Sequence, residues 1–158
     1  MAIIPAGMAY ERKWDGFRSL VFRDNDDVTL VSRNGRDLSV YFPEVVQAIL
    51  ANTPPRCVLD GELVVVRGDR LDFSQLSERI HPAQKRIDLL SATVPASLVC
   101  WDLLALDDTA LMALPFRERR RLLEQALSHS DAPVHLTPLT EDLDLARVWF
   151  TRFEGAGL

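Results

Sequence analysis

The chain has 158 residues, 47% of them hydrophobic and 26% charged, with a formal net charge of −5. That describes one globular domain, able to bury roughly two thirds of its unfolded surface. It excludes wholesale disorder and a membrane span, and the acidic balance argues against a protein that coats nucleic acid by bulk charge while leaving room for a local basic track. Met1–Tyr10 lacks the basic flank and apolar core of a secretory signal. Cys57 and Cys100 are the only cysteines and fit a reducing cytoplasm. Sixteen of the 18 basic residues are arginines, which leaves Lys13 and Lys85 as the only lysines. Lysine can lose its proton and act as a nucleophile, whereas arginine in practice cannot.

In chain order, Gly16 to Phe22 alternates like a strand, Asp24–Asp27 is a polar turn, and Val28 to Ser32 returns as the second arm of a hairpin. Asn34-Gly35 marks a turn. Pro43 opens a helix over Glu44 to Ala51, with Val45, Val46, Ile49 and Leu50 on its apolar face, and Pro54-Pro55 stops it. Cys57 to Val66 reads as a strand holding Asp60-Gly61-Glu62, followed by a Gly68-Asp69 turn. Asp72 to Ile80 is helical with Phe73, Leu76 and Ile80 inward, until Pro82 interrupts. Ala96 to Leu106 is a buried strand with one acid, Asp102. Pro115 to Leu127 is a helix with Phe116, Leu122, Leu123 and Leu127 inward; its arginines at 117, 119, 120 and 121 read as a solvated face rather than a DNA-binding one. Val134 to Leu139 is a short strand, and Asp142 to Glu154 a last helix ended by Gly155-Ala156-Gly157. Hairpins outnumber strand–helix–strand crossovers, so the fold class is α+β with mostly antiparallel strands.

The chemistry concentrates in Tyr10-Glu11-Arg12-Lys13-Trp14-Asp15-Gly16-Phe17-Arg18. An isolated Lys-x-Asp-Gly is most often a surface turn. Here it shares the chain with Asp60, Glu62 and Asp102, three acids inside apolar runs, where a charge is costly without a partner. Charged strand residues beside a candidate nucleophile point to a cleft where those strands meet. His81, His129 and His135 have no metal-ligand spacing, and neither a Cys-x-x-Cys pair nor a P-loop glycine motif is present.

Six segments in register resemble the nucleotidyltransferase domain of ATP-dependent DNA ligases, above all the bacterial end-joining ligases. They are Glu-Arg-Lys-Trp-Asp-Gly-Phe-Arg from Glu11, Ser-Arg-Asn-Gly from Ser32, Tyr-Phe-Pro-Glu-Val from Tyr41, Leu-Asp-Gly-Glu-Leu-Val from Leu59, Cys-Trp-Asp-Leu-Leu from Cys100 and Pro-Phe-Arg-Glu-Arg-Arg from Pro115. The resemblance implies two mainly antiparallel sheets flanked by helices, incomplete at the C-terminus. It also implies attack by Lys13 on the α-phosphorus of ATP to give a lysyl-AMP phosphoramidate. Partial burial or a nearby cation (Arg12, Arg18 or bound Mg²⁺ or Mn²⁺) would lower the lysine's pKa. Glu11 would accept from the adenine amino group, on the side of the strand that also presents Lys13. Arg12 and Arg18 would contact the nucleotide, Glu62 the ribose and a metal ion, and Trp101 would stack on the base. Arg33 would grip the 5′-phosphate of a nick. Asp15 and Asp60 read as structural, holding turns and orienting neighbours.

The implied partners are nicked or broken duplex DNA and an end-joining protein, with the chain a monomer in the cytoplasm at the nucleoid and no membrane contact. The family's later Glu-Gly-x-Val-x-Lys and Lys-x-Lys motifs and its OB-fold domain do not follow; Glu154-Gly155 resembles only the lead-in to the first. The chain therefore reads as the N-terminal portion of an adenylation domain, slow or inactive in self-adenylation, with an open sheet edge. The other readings are an RNA ligase or capping guanylyltransferase, which share the lysine chemistry, and a non-catalytic remnant that binds nucleotide or DNA ends.

Overall fold

The structure is a computed structural model and describes residues 8–153. The expected glycine stop at 155–157 and the Glu154-Gly155 lead-in lie outside the described residues. After a two-residue strand β1 (Tyr10–Glu11), the hairpin of β2 (Phe17–Asp24) and β3 (Asp27–Ser32) forms where the sequence places it. Its turn uses Asn25 at φ 54°, a left-handed conformation that asparagine tolerates. Helix α1 (Pro43–Asn52) follows, then the long strand β4 (Arg56–Val64) on the free edge of β2.

A small ribbon, β5 (Val66–Arg67) and β6 (Arg70–Leu71), turns at Gly68. Two helices come next, α2 (Phe73–Glu78) and α3 (Gln84–Thr93). Strand β7 (Ser97–Leu106) then joins the other edge of β4. The far edge of β7 is shared: β8 (Thr109–Ala110) pairs antiparallel with its C-terminal half and, after α4 (Phe116–Ala126), β9 (Val134–Leu136) pairs parallel with its N-terminal half. β10 (Leu139–Thr140) closes back on β1, and α5 (Leu143–Phe153) ends the description.

The α+β class with mainly antiparallel strands is what the sequence expects. Among the described residues the strands form one six-stranded sheet and two two-stranded ribbons. Val21, Leu30, Leu59, Leu63, Leu98, Cys100 and Leu103 from the sheet pack with Val45 and Ile49 of α1, Leu76 of α2 and Leu123 of α4 in one core. No helix of the described residues is long and apolar enough to cross a membrane.

Four local expectations change. Helix α3 carries no helical signal in the sequence, because only Ile87 and Leu90 of its ten residues are buried and its first turn is polar. The Val134–Leu139 strand is two strands, β9 and β10, with Pro138, which cannot donate to a ladder, between them. Phe73 is 43% exposed and makes a T-shaped pair with Phe17, 5.6 Å between centroids; Phe116 is also exposed. The fourth change concerns the α4 arginines. Arg117 and Arg121 are exposed and pair with Glu141 and Glu118, but Arg119 and Arg120 turn inward, so the basic run is not one solvated face.

Candidate functional site

Strand alternation divides the sheet into two faces. Ser19, Val21, Leu59 and Leu63 turn into the core, which leaves Arg18, Asp60 and Glu62 on the opposite face. The β2–β4 register sets Arg18 directly opposite Glu62 and Leu20 opposite Asp60. Asp60 is buried, and the Arg18 guanidinium satisfies both of its oxygens, Nε to Oδ1 at 3.2 Å and Nη2 to Oδ2 at 2.7 Å. Asp60 thus orients a neighbour, as its place in an apolar run suggests. The same guanidinium lies 5.8 Å from the centre of the Trp101 ring.

Trp101 stands out from its strand for a geometric reason. Asp60 pairs with Asp102 and Gly61 with Cys100, so Trp101 is the extra residue of a bulge, the device that re-aims a side chain out of a ladder. Gly61 permits the close approach: a Cβ there would sit 2.5 Å from the Val99 carbonyl oxygen.

Glu62 is the perturbed acid of this face. Burial pushes its pKa up from 4.5 to about 7, against the opposing pull of a hydrogen bond from the Gly16 backbone N–H and the charge of Arg18. A Cβ on Gly16 would overlap the Leu63 carbonyl oxygen, so the link that carries Lys13 lies tight against the end of β4. A carboxyl whose folded pKa is raised is most favourable below its unfolded value, and its contribution is lost as pH rises from 4.5 to about 7. Glu62→Gln, in buffer free of nucleotide and metal, is therefore expected to stabilise the fold. The gain should grow between those two pH values and level off at roughly 1 kcal/mol, given the partial solvent screening. Thermal melts at pH 5 and pH 8 check this, and an equal shift at both removes the desolvated carboxyl as the cause.

Arg18, Glu62 and Arg33 line one open cavity of about 370 Å³, with Ser32, Asn34 and Gly16. Arg33 itself is exposed, in the turn after β3, where Gly35 takes φ 80°. The structure thus brings together Arg18, Glu62 and Arg33, with Trp101 beside Arg18. Lys13 is exposed in the irregular link between β1 and β2, three residues before the N–H that holds Glu62. β1 ends at Glu11, so the expected strand alternation does not set Glu11 and Lys13 on one side. The Arg12 guanidinium stacks over Trp149 of α5, 5.0 Å from the ring centre.

Glu11 lies apart from that cavity, on the ribbon formed with β10. Its pKa is raised by burial, with Arg120 pulling it down and Asp102 pushing it up. Arg120 approaches Glu11 to 3.9 Å, and Arg119 makes a two-bond pair with Asp102 at 2.9 and 3.1 Å. The sequence reading missed both arginines. The available signal was spacing: Arg120 precedes Leu123 by three and Leu127 by seven, which puts it on the inward stripe of α4. Trp14 is anchored by its indole N–H to Thr137 Oγ1 at 2.8 Å, a buried partner in the link between β9 and β10.

Among the described residues no three His, Cys, Asp or Glu side chains converge. Asp60 is engaged by Arg18, which leaves Glu62, with the charge of Asp15 nearby, as the carboxylate available to a cation on this face. A hard divalent ion that keeps water and phosphate oxygens in its shell needs only one or two protein carboxylates. One carboxylate does not make an all-protein cage, and here it would be a single protein ligand to such an ion.

Residues 2–158 match the family model for the ATP-dependent DNA ligase domain. The chain is 51% identical over 155 residues to DNA ligase C2 of Mycolicibacterium smegmatis and 50% identical over 159 residues to DNA ligase C of Mycobacterium tuberculosis. Each match covers 98% of this chain and 44% of the relative, so the chain spans less than half the length of these relatives. Among solved structures, a mycobacterial DNA ligase D complexed with ATP and MES superposes with a TM-score of 0.69 at 28% identity, over 92% of this chain and 44% of that one. The ligase domain of M. tuberculosis LigD gives 0.67 at 29% identity, over 89% and 44%.

Proposed function

The chain belongs to the ATP-dependent DNA ligase domain family, and from that premise we propose that it carries the nucleotide-binding part of the adenylation site of a strand-joining enzyme. Lys13 Nζ, having released a proton, attacks the α-phosphorus of ATP. The N–P bond forms as the bond to the bridging oxygen breaks, and pyrophosphate leaves. AMP then passes from the lysine to the 5′-phosphate of nicked or broken duplex DNA. Attack by the 3′-hydroxyl on that phosphorus seals the strand and releases AMP.

Trp101 stacks on the adenine, and Glu11 accepts from its exocyclic amino group, which favours ATP over GTP. Glu62 accepts from a ribose hydroxyl, and Arg18 contacts the ribose and the rest of the nucleotide. Arg12 adds positive charge beside Lys13 from its seat on Trp149, and Arg33 takes the 5′-phosphate of the nick, a task suited to a fork of donors. Glu62 would hold a Mg²⁺ or Mn²⁺ ion, which would supply neutralising charge for the phosphates.

The observation that carries this reading is the cross-strand pairing of Arg18 with Glu62, with the Gly16 N–H on that carboxylate three residues after Lys13. Its test is the protein expressed from its complete gene, incubated with ATP and Mg²⁺, then intact-mass analysis and peptide mapping. A single AMP on Lys13 is expected. A GMP adduct from GTP, an adduct on Lys85, or none at all overturns the reading.

A further inference from the structure

We propose that Arg120 is a positioning residue that sets the Glu11 carboxylate for base recognition. This rests on the reading of Glu11 given above. Arg120 is only 6% exposed. Its Nε donates to Glu124 at 3.0 Å and its Nη2 to the Thr137 carbonyl at 2.8 Å. Nη1 is buried with no hydrogen-bond partner, and Glu11 Oε1 stands 3.9 Å from it. That separation is about 1 Å longer than an N–H···O bond. A buried guanidinium N–H left unpaired is costly, so a small closure of β1 onto α4 gains a charge-assisted bond.

The surroundings make this more than a strut for the helix. Thr137, whose carbonyl Arg120 holds, takes the Trp14 indole on its hydroxyl and donates its own N–H to the Cys100 carbonyl at 2.9 Å. One guanidinium therefore links Glu11, the residue after Lys13 and the residue before Trp101. Arg119, next along α4, braces Asp102 on the other side of Trp101. Burial raises the pKa of Glu11 and Arg120 opposes it, which favours the anionic, acceptor-only form that an adenine amino group needs and a guanine O6 does not.

The experiment measures ATP and GTP affinity by calorimetry, with melting temperature, for the protein expressed from its complete gene and for Glu11→Gln, Arg120→Gln, Arg120→Lys and the Glu11→Gln/Arg120→Lys double variant. Arg120→Gln is expected to cut the ATP-to-GTP preference about tenfold, the effect of losing one charge-assisted bond. Arg120→Lys should restore part of it, and the double variant should lose no more than Glu11→Gln alone. If Glu11→Gln erases the preference while folded Arg120→Lys and Arg120→Gln keep it, Arg120 is only a strut and the inference falls, with the reading of Glu11 intact. If Glu11→Gln keeps the preference, Glu11 does not read the base and both fall. Should Arg120→Gln fail to fold, the lysine variant and the double variant decide.

Discussion

Lys13→Arg is expected to abolish the AMP adduct, with the melting temperature unchanged to within about 1 °C. Lys13 is exposed in an irregular link, where substitutions away from the core seldom shift stability by more than about 0.5 kcal/mol. Arginine keeps the positive charge and most of the reach, so attraction for phosphate persists. It cannot shed its proton near neutral pH, so no lone pair reaches the phosphorus. ATP should therefore bind within about tenfold of the unaltered affinity, while the adduct falls below detection, a loss on the order of a thousandfold. Quantitative mass spectrometry and a calorimetric titration on the same samples separate the two effects. An adduct that persists at unchanged yield identifies another nucleophile and removes Lys13 from the mechanism.

Arg79→Met is expected to cost about 3–5 kcal/mol of folding stability, a large share of the roughly 5–15 kcal/mol that holds a domain together. Arg79 is fully buried just past α2. Its guanidinium makes a two-bond pair with Glu44 at 2.5 and 3.0 Å. It also donates to the Tyr41 and Val94 carbonyls and to Ser91 Oγ, and lies over the Phe42 ring. Glu44 in turn accepts from the Ala96 N–H, where the chain enters β7.

One cation thus fastens α1, α2, α3 and the start of β7, and its removal strands Glu44 and two carbonyls. The melting temperature should fall by roughly 10 °C. The double variant Arg79→Met/Glu44→Gln should recover part of the loss, because the unpaired charge goes with its partner. A single-variant loss under about 1 kcal/mol would mean that water reaches Glu44 and that the clamp contributes little.

Several parts of this protein follow from local chemistry alone. The β2–β3 hairpin was legible because alternation and a polar turn are short-range facts. Helix α1 was legible from Pro43 and its apolar spacing, although Ala48 rather than Leu50 completes the buried stripe. The family resemblance singled out Arg18, Glu62 and Arg33, which one cavity then brought together. The penalty on charges in apolar runs required partners for Asp60 and Asp102 without naming them.

The partners were decided by the tertiary structure. Arg18 reaches Asp60 because β2 and β4 pair in one register, and Trp101 leaves its strand because β4 and β7 bulge at Gly61. Arg79, Arg119 and Arg120 look like solvent-facing arginines in the sequence, since arginine is usually exposed and polar helix positions usually face water. Besides nearer acceptors, each has one that lies 17 or more residues away in the chain: Glu44, Asp102 and the Thr137 carbonyl. A periodic pattern records which face of an element is apolar. Which buried cation meets which acid depends on how elements distant in the chain are brought side by side, and that arrangement is set by packing of the whole core.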